Sequence, residues 1–174
     1  MKLNAKQLRK EEPGKGKEQI KKQEIYIVLD NVLDTYNIGS IFRLADAVAA
    51  KKVYLCQGTE TPPNHRIKKA SINTTEWVDW EYAETAYSAI NDLKSKINNL
   101  QVVAIEQDKR SVQYDKFEYK LPICLVVGNE TTGISKEVLD IADAIVELPM
   151  FGVNISLNVM VSLGIVLYRV LTTY

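Results

Sequence analysis

Leu125-Val-Val-Gly-Asn-Glu-Thr-Thr-Gly-Ile-Ser135 is the segment that best indicates how this chain folds. It begins as an apolar run typical of a buried strand and enters a turn that holds Gly128, Asn129, Glu130 and Gly133. A helix is expected to follow the turn. Free backbone N–H groups and one carboxylate would then lie at the carboxyl end of a strand, where open α/β sheets bind small ligands. The segment therefore predicts a ligand-binding loop in an α/β domain.

Two other segments have the same character. Asn37-Ile-Gly-Ser-Ile-Phe-Arg43 lies near the start of the chain, and Pro149-Met-Phe-Gly-Val-Asn-Ile-Ser-Leu-Asn158 lies near the end. Both are polar, contain glycine and connect apolar segments. We therefore expect the three loops to meet in one composite site.

Strands and helices are predicted to alternate along the chain after the first residues. Apolar and β-branched runs predict strands at 24–29, 52–56, 101–105, 123–127 and 144–148. Spacing and composition predict helices at 37–50, 83–97 and 156–171, with a short helix near 135–141. Residues 57–66 are expected to form a loop and residues 106–120 to be irregular. This alternation indicates an α/β fold with a mostly parallel sheet and helices on both faces.

Length and charge predict one domain preceded by a basic arm. The chain has 174 residues, 46% of them hydrophobic and 25% charged, and its net charge is zero. Residues 1–24 hold eight Lys/Arg and four Glu, a net of +4, which leaves −4 for residues 25–174. We expect 25–174 to be the folded domain. The arm is either a segment that follows a phosphate backbone or a solvated tail.

Cysteine usage and hydropathy favour a cytoplasmic protein. Cys56 and Cys124 both lie in apolar runs, so buried thiols are expected rather than a disulfide. The first residues lack the apolar core of a signal peptide. Residues 148–168 carry no charge, but a helix from Ser156 would be only about 24 Å long, short of the roughly 30 Å hydrocarbon core. That helix is instead expected to be buried, with a second subunit as the candidate for what covers it.

Several common chemistries are poorly supported. Gly128 and Gly133 have Walker A spacing, but Ile134 and Ser135 stand where lysine and Ser/Thr are required. No G-x-G-x-x-G follows the first strand, which argues against a Rossmann dinucleotide site. The single histidine, His65, argues against a His-based triad and against a zinc site, and no metal is expected. The chemistry is therefore expected to come from Arg, Asn, Glu, Ser or backbone groups.

The three loops, taken in order, resemble the three signature motifs of the SpoU (TrmH-like) class of SPOUT RNA methyltransferases. The matching segments are Asn37–Arg43, Val127–Ile134 and Leu148–Val159, and the resemblance covers roughly residues 25–171. It implies transfer of a methyl group from S-adenosylmethionine to a ribose 2′-hydroxyl of RNA. It also implies a SPOUT fold with a trefoil knot at the carboxyl end and a homodimer. Topology rules alone would argue against a knot.

The resemblance also implies site residues. Contacts with S-adenosylmethionine are implied for Val127, Gly128, Asn129, Glu130, Gly133, Leu148, Met150, Ser156 and Leu157. Catalytic positions are implied for Arg43, Asn37, Glu130, Ser156 and Asn158. Some of these residues have a local structural alternative: a plain turn for the glycines, a helix-start carboxylate for Glu130, and helix caps for Asn37 and Ser156. For Arg43 the alternative is an i,i+3 pair with Asp46.

Arg43 matches the arginine of the first motif, and two roles are open to it. The 2′-hydroxyl must lose a proton before it attacks the methyl group, and arginine is a poor base because it stays protonated. Arg43 would need an unusual environment, such as a nearby RNA phosphate, to act as the base. The other role is electrostatic: the guanidinium would hold the phosphate and stabilise a developing alkoxide.

A basic patch, Asn64-His-Arg-Ile-Lys-Lys69, makes Arg66, Lys68 and Lys69 candidates for RNA contact together with Arg43. Trp77, Trp80 and Tyr82 follow it and would either stack on an unpaired base or belong to the core. The expected substrate is structured RNA, with tRNA first and rRNA second. The alternatives are a non-catalytic RNA-binding or cofactor-binding protein of the same fold, and a flavodoxin-like nucleotide-binding domain.

Overall fold

One all-parallel sheet of seven strands forms the centre of the protein, as seen in a computed structural model that describes residues 2–8, 10–11 and 15–173. The strands are β1 Gln23–Asp30, β2 Ala50–Cys56, β3 Trp80–Ala83, β4 Gln101–Ile105, β5 Val112–Gln113, β6 Ile123–Gly128 and β7 Ala144–Glu147. Their order across the sheet is β3-β2-β1-β6-β4-β7-β5. The five strands expected from the sequence are confirmed, and the sheet is parallel throughout.

Helices cover both faces of this sheet. They are α1 Ala5–Leu8, α2 Lys15–Glu18, α3 Thr35–Ala47, α4 His65–Ser71, α5 Ala86–Lys96, α6 Lys136–Ile141 and α7 Val159–Leu171, with a 3-10 helix at Thr74–Glu76. One core layer joins α3, α4 and α7 to alternate sheet residues such as Ile27 and Leu125. The other joins α5 and α6 to the opposite side chains, such as Val28 and Val126. This alternation follows from the two-residue period of a strand.

The strand order places the binding loop at the middle of the sheet. β6 lies between β1 and β4, so the chain returns to the centre after it has built strands on both sides. Helix α7 then packs on α3 and on the β4 and β6 strands. This order is compatible with a carboxyl-terminal knot, which stays a prediction.

Helix α3 begins earlier than the sequence indicated, and Asn37 does not cap it. Asp34 is the cap, because its side chain accepts a hydrogen bond from the Tyr36 backbone N–H. Asn37 lies inside the helix and is buried. The helix also ends before residue 50, at Ala47, since Ala49 adopts a positive φ of 51°.

Helix α7 begins later than expected, at Val159. Asn158 caps it, because its side-chain oxygen accepts from the backbone N–H groups of Met160 and Val161. Ser156 precedes the helix, so its predicted alternative role as the cap is wrong. The cap, Asn158, lies in the same predicted loop, two residues after Ser156.

The sequence interpretation missed helices α1, α2 and α4, the 3-10 helix and strands β3 and β5. Helix α4 lies where a loop and a basic patch were expected. Asn64 caps this helix, and Ile67, one of its own residues, is buried. β3 is an edge strand whose two central residues are exposed, so it has no apolar run. β5 comprises only two residues inside the segment expected to be irregular. Short or exposed elements of this kind leave little periodic signal.

The amino-terminal arm contacts the body near the 3-10 helix. Lys17 pairs with Asp79 at 2.8 Å, and Lys22 donates to the Trp77 carbonyl at 3.4 Å. The Asn73 side chain donates to the Leu8 carbonyl at 3.2 Å. Residues 1, 9 and 12–14 of the predicted arm, and residue 174, lie outside the described residues. In the part of the chain that is described, no helix is long and apolar enough to cross a membrane.

Candidate active site

A cleft of about 500 Å³ opens at the carboxyl ends of β4, β6 and β7. Its walls come from the loops that follow these strands and from the start of α7. It is lined by Ile105, Glu106, Gln107, Val127, Gly128, Asn129, Glu130, Thr131, Gly133, Val146, Glu147, Leu148, Met150, Asn154, Ile155, Ser156, Leu157, Asn158, Val159 and Ser162. All the positions implied for the cofactor are among them. Its size and its mixture of apolar and polar walls are typical of a small-molecule site.

The turn after β6 requires glycine at two positions. Asn129 and Gly133 exchange backbone hydrogen bonds of 3.1 and 2.9 Å, which closes the turn on itself. A side chain on Gly128 would place its Cβ 2.3 Å from the Gly133 carbonyl carbon. Gly133 has a φ of +70°, which glycine adopts without strain. The glycines thus make a tight turn whose main chain reaches the cleft.

Glu130 joins the glycine turn to the start of helix α3, where the first motif lies. Its carboxylate accepts hydrogen bonds from the backbone N–H groups of Leu33 and Asp34, at 3.1 and 3.0 Å. It also accepts from the Asn37 amide nitrogen at 2.9 Å. Burial alone would raise the pKa of Glu130, but these hydrogen bonds outweigh it and hold the pKa below its usual value of 4.5. Glu130 is therefore a carboxylate anchored in its ionised form.

Asn37 connects this anchor to the third loop. The Asn37 side-chain oxygen accepts from the Asn158 amide nitrogen at 3.0 Å, while the Asn158 oxygen caps α7. A continuous chain of hydrogen bonds therefore runs from the start of α7 through Asn158 and Asn37 to Glu130. The structure brings these three predicted site residues together at the edge of the cleft.

Two carboxylates that the sequence interpretation missed hold the other side of the turn. Asp30, at the end of β1, accepts from the Ser135 N–H at 2.8 Å and from the Ser135 hydroxyl at 2.7 Å. Glu106, directly after β4, accepts from the Ile134 N–H at 2.9 Å. Both residues follow predicted strands immediately, so the rule that selected the glycine turn could also have identified them.

The loop from Leu148 to Asn158 forms the outer wall. Met150, Ser156 and Leu157 line the cleft as implied. Gln107 donates from its side chain to the Ile155 carbonyl at 2.6 Å and so ties this loop to the one after β4. Ser156 is exposed at the mouth of the cleft.

Arg43 stands apart from the cleft. It is exposed on the outer face of α3 and is absent from the lining of the cleft described above. Among the described residues it has no hydrogen-bond or ion-pair partner, so the local pair with Asp46 does not form. A single subunit therefore does not bring Arg43 to the other predicted catalytic residues.

The three predicted RNA contacts other than Arg43 lie on helix α4 and are exposed. Arg66, Lys68 and Lys69 all face solvent. Arg66 also lines an open depression of about 720 Å³ that shares Asn129, Glu130 and Thr131 with the cleft. Trp77 is only 3% exposed, so it belongs to the core and not to a stacking surface. Trp80 packs partly buried against the same core.

Comparison with known proteins identifies the family. The SpoU rRNA Methylase family matches residues 24–168. The chain belongs to this family. It is 33% identical over 151 residues to a tRNA (guanosine(18)-2′-O)-methyltransferase of Aquifex aeolicus, which covers 86% of this chain and 69% of the relative. A guanosine(18) methyltransferase of Escherichia coli is 29% identical over 149 residues, and the match covers 84% of this chain but only 62% of that relative.

Solved structures of SpoU-family enzymes share the fold. The A. aeolicus TrmH/SpoU tRNA modifying enzyme superimposes with a TM-score of 0.80 and 30% identity, over 97% of this chain and 81% of that one. An AdoMet-bound rRNA methyltransferase from Sinorhizobium meliloti gives a TM-score of 0.77 and 30% identity, over 94% of this chain and 59% of that one. The α/β SPOUT fold class expected from the sequence is confirmed. The family assignment is confirmed as well.

Proposed function

We propose that this SpoU-family chain transfers a methyl group from S-adenosylmethionine to a ribose 2′-hydroxyl of structured RNA, with tRNA the first substrate to test and rRNA the second. The observation that carries the proposal is the cleft, which the second and third family motifs line around one glycine turn. Asn37 of the first motif is hydrogen-bonded to Glu130 and Asn158 at its edge. The relatives named above are tRNA 2′-O-methyltransferases, and one solved neighbour holds AdoMet. Since tRNA and rRNA are the proposed substrates, we also propose a cytoplasmic location.

The cleft residues fit S-adenosylmethionine. Apolar side chains of Val127, Leu148 and Leu157 can flank a planar base, and the glycine turn leaves main chain free to approach the ligand. When bound, the cofactor supplies an electrophilic methyl group on a sulfonium. The glycine turn would hold the cofactor in the cleft, and the target ribose would enter at the mouth of the cleft, near Glu130 and Asn158.

The hydrogen-bonded chain from Asn158 to Glu130 suits a positioning role. Glu130 already accepts three hydrogen bonds and its pKa is lowered, so it is a weak proton acceptor at neutral pH. Both polar atoms of the Asn37 side chain already have a partner within the chain. We infer that these residues fix the three loops against one another, while Ser156, which is exposed at the mouth, contacts the incoming ribose or phosphate.

Arg43 would act on the site of a partner subunit. Helix α7 leaves one apolar stripe exposed: Val161, Ile165 and Tyr168 are 39%, 36% and 52% accessible. Their spacing puts them on one face of the helix, and exposed apolar stripes of this kind are typical of interfaces. A homodimer through α7 would cover the stripe and could bring Arg43 of one subunit to the cleft of the other. There the guanidinium would hold an RNA phosphate and stabilise the developing alkoxide.

Other basic residues that could contact RNA lie on α4 and on the arm. Arg66, Lys68 and Lys69 are exposed on α4, and Lys2 and Lys6 are exposed on the arm. Burial raises the pKa of Asp46, which lies on the same helix as Arg43, and the charges of Lys22 and Lys2 on the arm partly oppose this shift. We propose that the arm and α4 contact the phosphate backbone together, which would make binding weaken as salt increases.

The test is methyl transfer from S-adenosylmethionine into unmodified tRNA and rRNA pools, followed by nucleoside mass spectrometry. A 2′-O-methylated nucleoside in one pool is expected, and guanosine is the first base to examine. Arg43→Ala should lose most of the turnover, and Arg43→Lys, which keeps the charge but not the planar fork, should recover only part of it. Cofactor binding without transfer into either pool would instead support a non-catalytic binding protein.

A further inference from the structure

Glu106 lies in the cofactor cleft without a role among the family motifs. It follows β4 directly and is partly buried. One carboxylate oxygen accepts from the Ile134 N–H at 2.9 Å, and the other accepts from the Gln107 N–H at 2.9 Å. These two hydrogen bonds fix the plane of the carboxylate. A group held this way is preorganised for a ligand.

The Glu106 carboxylate keeps acceptor capacity on both oxygens. An ionised carboxylate has about four acceptor positions, so two bonds within the chain leave roughly one on each oxygen. The other carboxylates of the cleft differ. Glu130 already accepts three hydrogen bonds. The Glu147 side chain has no partner among the described residues that would hold it in place.

Gly133 makes the position of Glu106 possible. A Cβ at Gly133 would lie 2.3 Å from the nearer Glu106 carboxylate oxygen and 3.1 Å from its carboxyl carbon. The missing side chain therefore leaves the space that the carboxylate occupies. Gly133 thus serves both the turn and the placement of Glu106.

We propose that Glu106 recognises the ribose of the cofactor by accepting hydrogen bonds from its two neighbouring hydroxyl groups. The proposal rests on the proposed function, because it takes S-adenosylmethionine as the ligand. A ribose presents two adjacent hydroxyl donors, which match a carboxylate with one acceptor position on each oxygen. Carboxylates at the carboxyl ends of strands bind ribose hydroxyls in other α/β folds. Glu106 also lies beside Ile105, Val146 and Leu148, the apolar wall suited to the adenine that adjoins the ribose.

The experiment is a binding cycle by isothermal titration calorimetry. The wild type, Glu106→Gln and Glu106→Asp are each titrated with S-adenosylhomocysteine and with its 2′,3′-dideoxy analogue. We expect the wild type to bind the hydroxylated ligand about 10-fold or more tightly, since hydrogen bonds to charged groups are the stronger kind. Both variants should lose most of this preference. Glu147→Gln, which removes a negative charge from the same cleft, should keep it.

The ligand pairs separate binding from structural damage. If Glu106 only braces the turn, its substitution will weaken both ligands equally and the hydroxyl preference will survive, which overturns the proposal. If Glu106 instead binds the ammonium of the amino-acid part, its substitution will not affect 5′-methylthioadenosine, which keeps the ribose but lacks that part. A wild type that binds none of these ligands would overturn the proposed function and this inference together. Circular dichroism confirms that each variant is folded.

Discussion

The Glu130 carboxylate fixes two segments that lie far apart in the sequence. It accepts from two backbone N–H groups before α3 and from the Asn37 side chain. A carboxyl whose pKa is lower in the folded state stabilises the fold above its unfolded pKa, and this contribution is lost as the pH falls through the folded value. The stability of the site should therefore depend on pH in the acid range.

We expect Glu130→Gln to lower the free energy of unfolding by about 1 kcal/mol at neutral pH, because the group is exposed and its hydrogen bonds are partly screened. The difference from the wild type should be constant above pH 4.5, the usual pKa, and shrink below it. Urea titrations across this range measure it. Glu84→Gln, at an exposed glutamate with no partner among the described residues, is the control. A difference that stays unchanged in acid would contradict the role of the charge.

The Asn158 side chain has two structural roles that substitutions can test separately. Its oxygen caps α7, and its amide nitrogen donates to Asn37. Asn158→Ala should lower the free energy of unfolding by about 1–2 kcal/mol, since it removes the cap. Asn158→Asp should recover most of that stability, because aspartate caps equally well, but it cannot donate to Asn37 when ionised. Thermal unfolding, measured on both variants, reports the loss of the helix cap. Methyl transfer, measured on the same variants, reports the loss of the hydrogen bond to Asn37. Full turnover in Asn158→Asp would show that the link to Asn37 is dispensable.

At the scale of elements, glycine controls how closely helices approach. Gly39 of α3 lies against α4: a Cβ there would be 2.5 Å from the Ala70 Cβ and 2.8 Å from the Ile67 carbonyl oxygen. Gly164 of α7 faces Leu44 of α3, and its Cβ would be 3.4 Å from the nearest atom. Both glycines lie inside helices. A side chain at position 39 would collide with α4, whereas the space beside Gly164 admits a methyl group.

Alanine at these two positions should have opposite effects. Gly39→Ala should destabilise the protein by about 1–3 kcal/mol, because backbone and an adjacent Cβ must move. Gly164→Ala should be neutral or stabilise by up to about 1 kcal/mol, because alanine favours the helix and meets ordinary contacts. Unfolding at one fixed protein concentration compares them. Equal destabilisation by both would show that the α3–α4 contact is looser than the distances indicate.

Much of the element pattern was predictable because it depends on local signals. Each of the five strands that were expected contains an unbroken run of buried apolar residues. β3 was missed because its exposed middle residues remove that signal. The start of α3 was misjudged because Asp34 and Asn37 are both good caps. The choice between them depends on Glu130, 93 residues from Asn37, which no local pattern records.

The site was predictable in its members but not in its arrangement. The second and third motifs gave most of the residues that line the cleft, whereas the first motif lies in helix α3 and lines none of it. The hydrogen bonds that join Asn158, Asn37 and Glu130 need tertiary distances, and so does the separation of Arg43 from the cleft. Asp30 and Glu106 were missed as single carboxylates outside any motif. Their position at strand ends was the available signal.

At the scale of the whole molecule, a single subunit leaves the proposed chemistry incomplete. Arg43 is exposed outside the cleft, and α7 presents an uncovered apolar stripe. Both features are explained if two subunits associate through α7 and each places its Arg43 at the cleft of the other. In that arrangement each active site would use the cleft of one subunit and Arg43 of the other.

Mixing two inactive variants tests this exchange. Arg43→Ala keeps its own cleft but cannot serve its partner, whereas Gly133→Ala damages its own cleft and still offers Arg43. A mixed dimer would then hold one complete site. Random reassociation makes half of the dimers mixed, so about a quarter of the wild-type activity should return. If Arg43 serves its own subunit, no activity will return. Ile165→Glu, introduced into both variants, places a charge in the apolar stripe and should abolish the recovery, with the loss of the dimer seen by sedimentation.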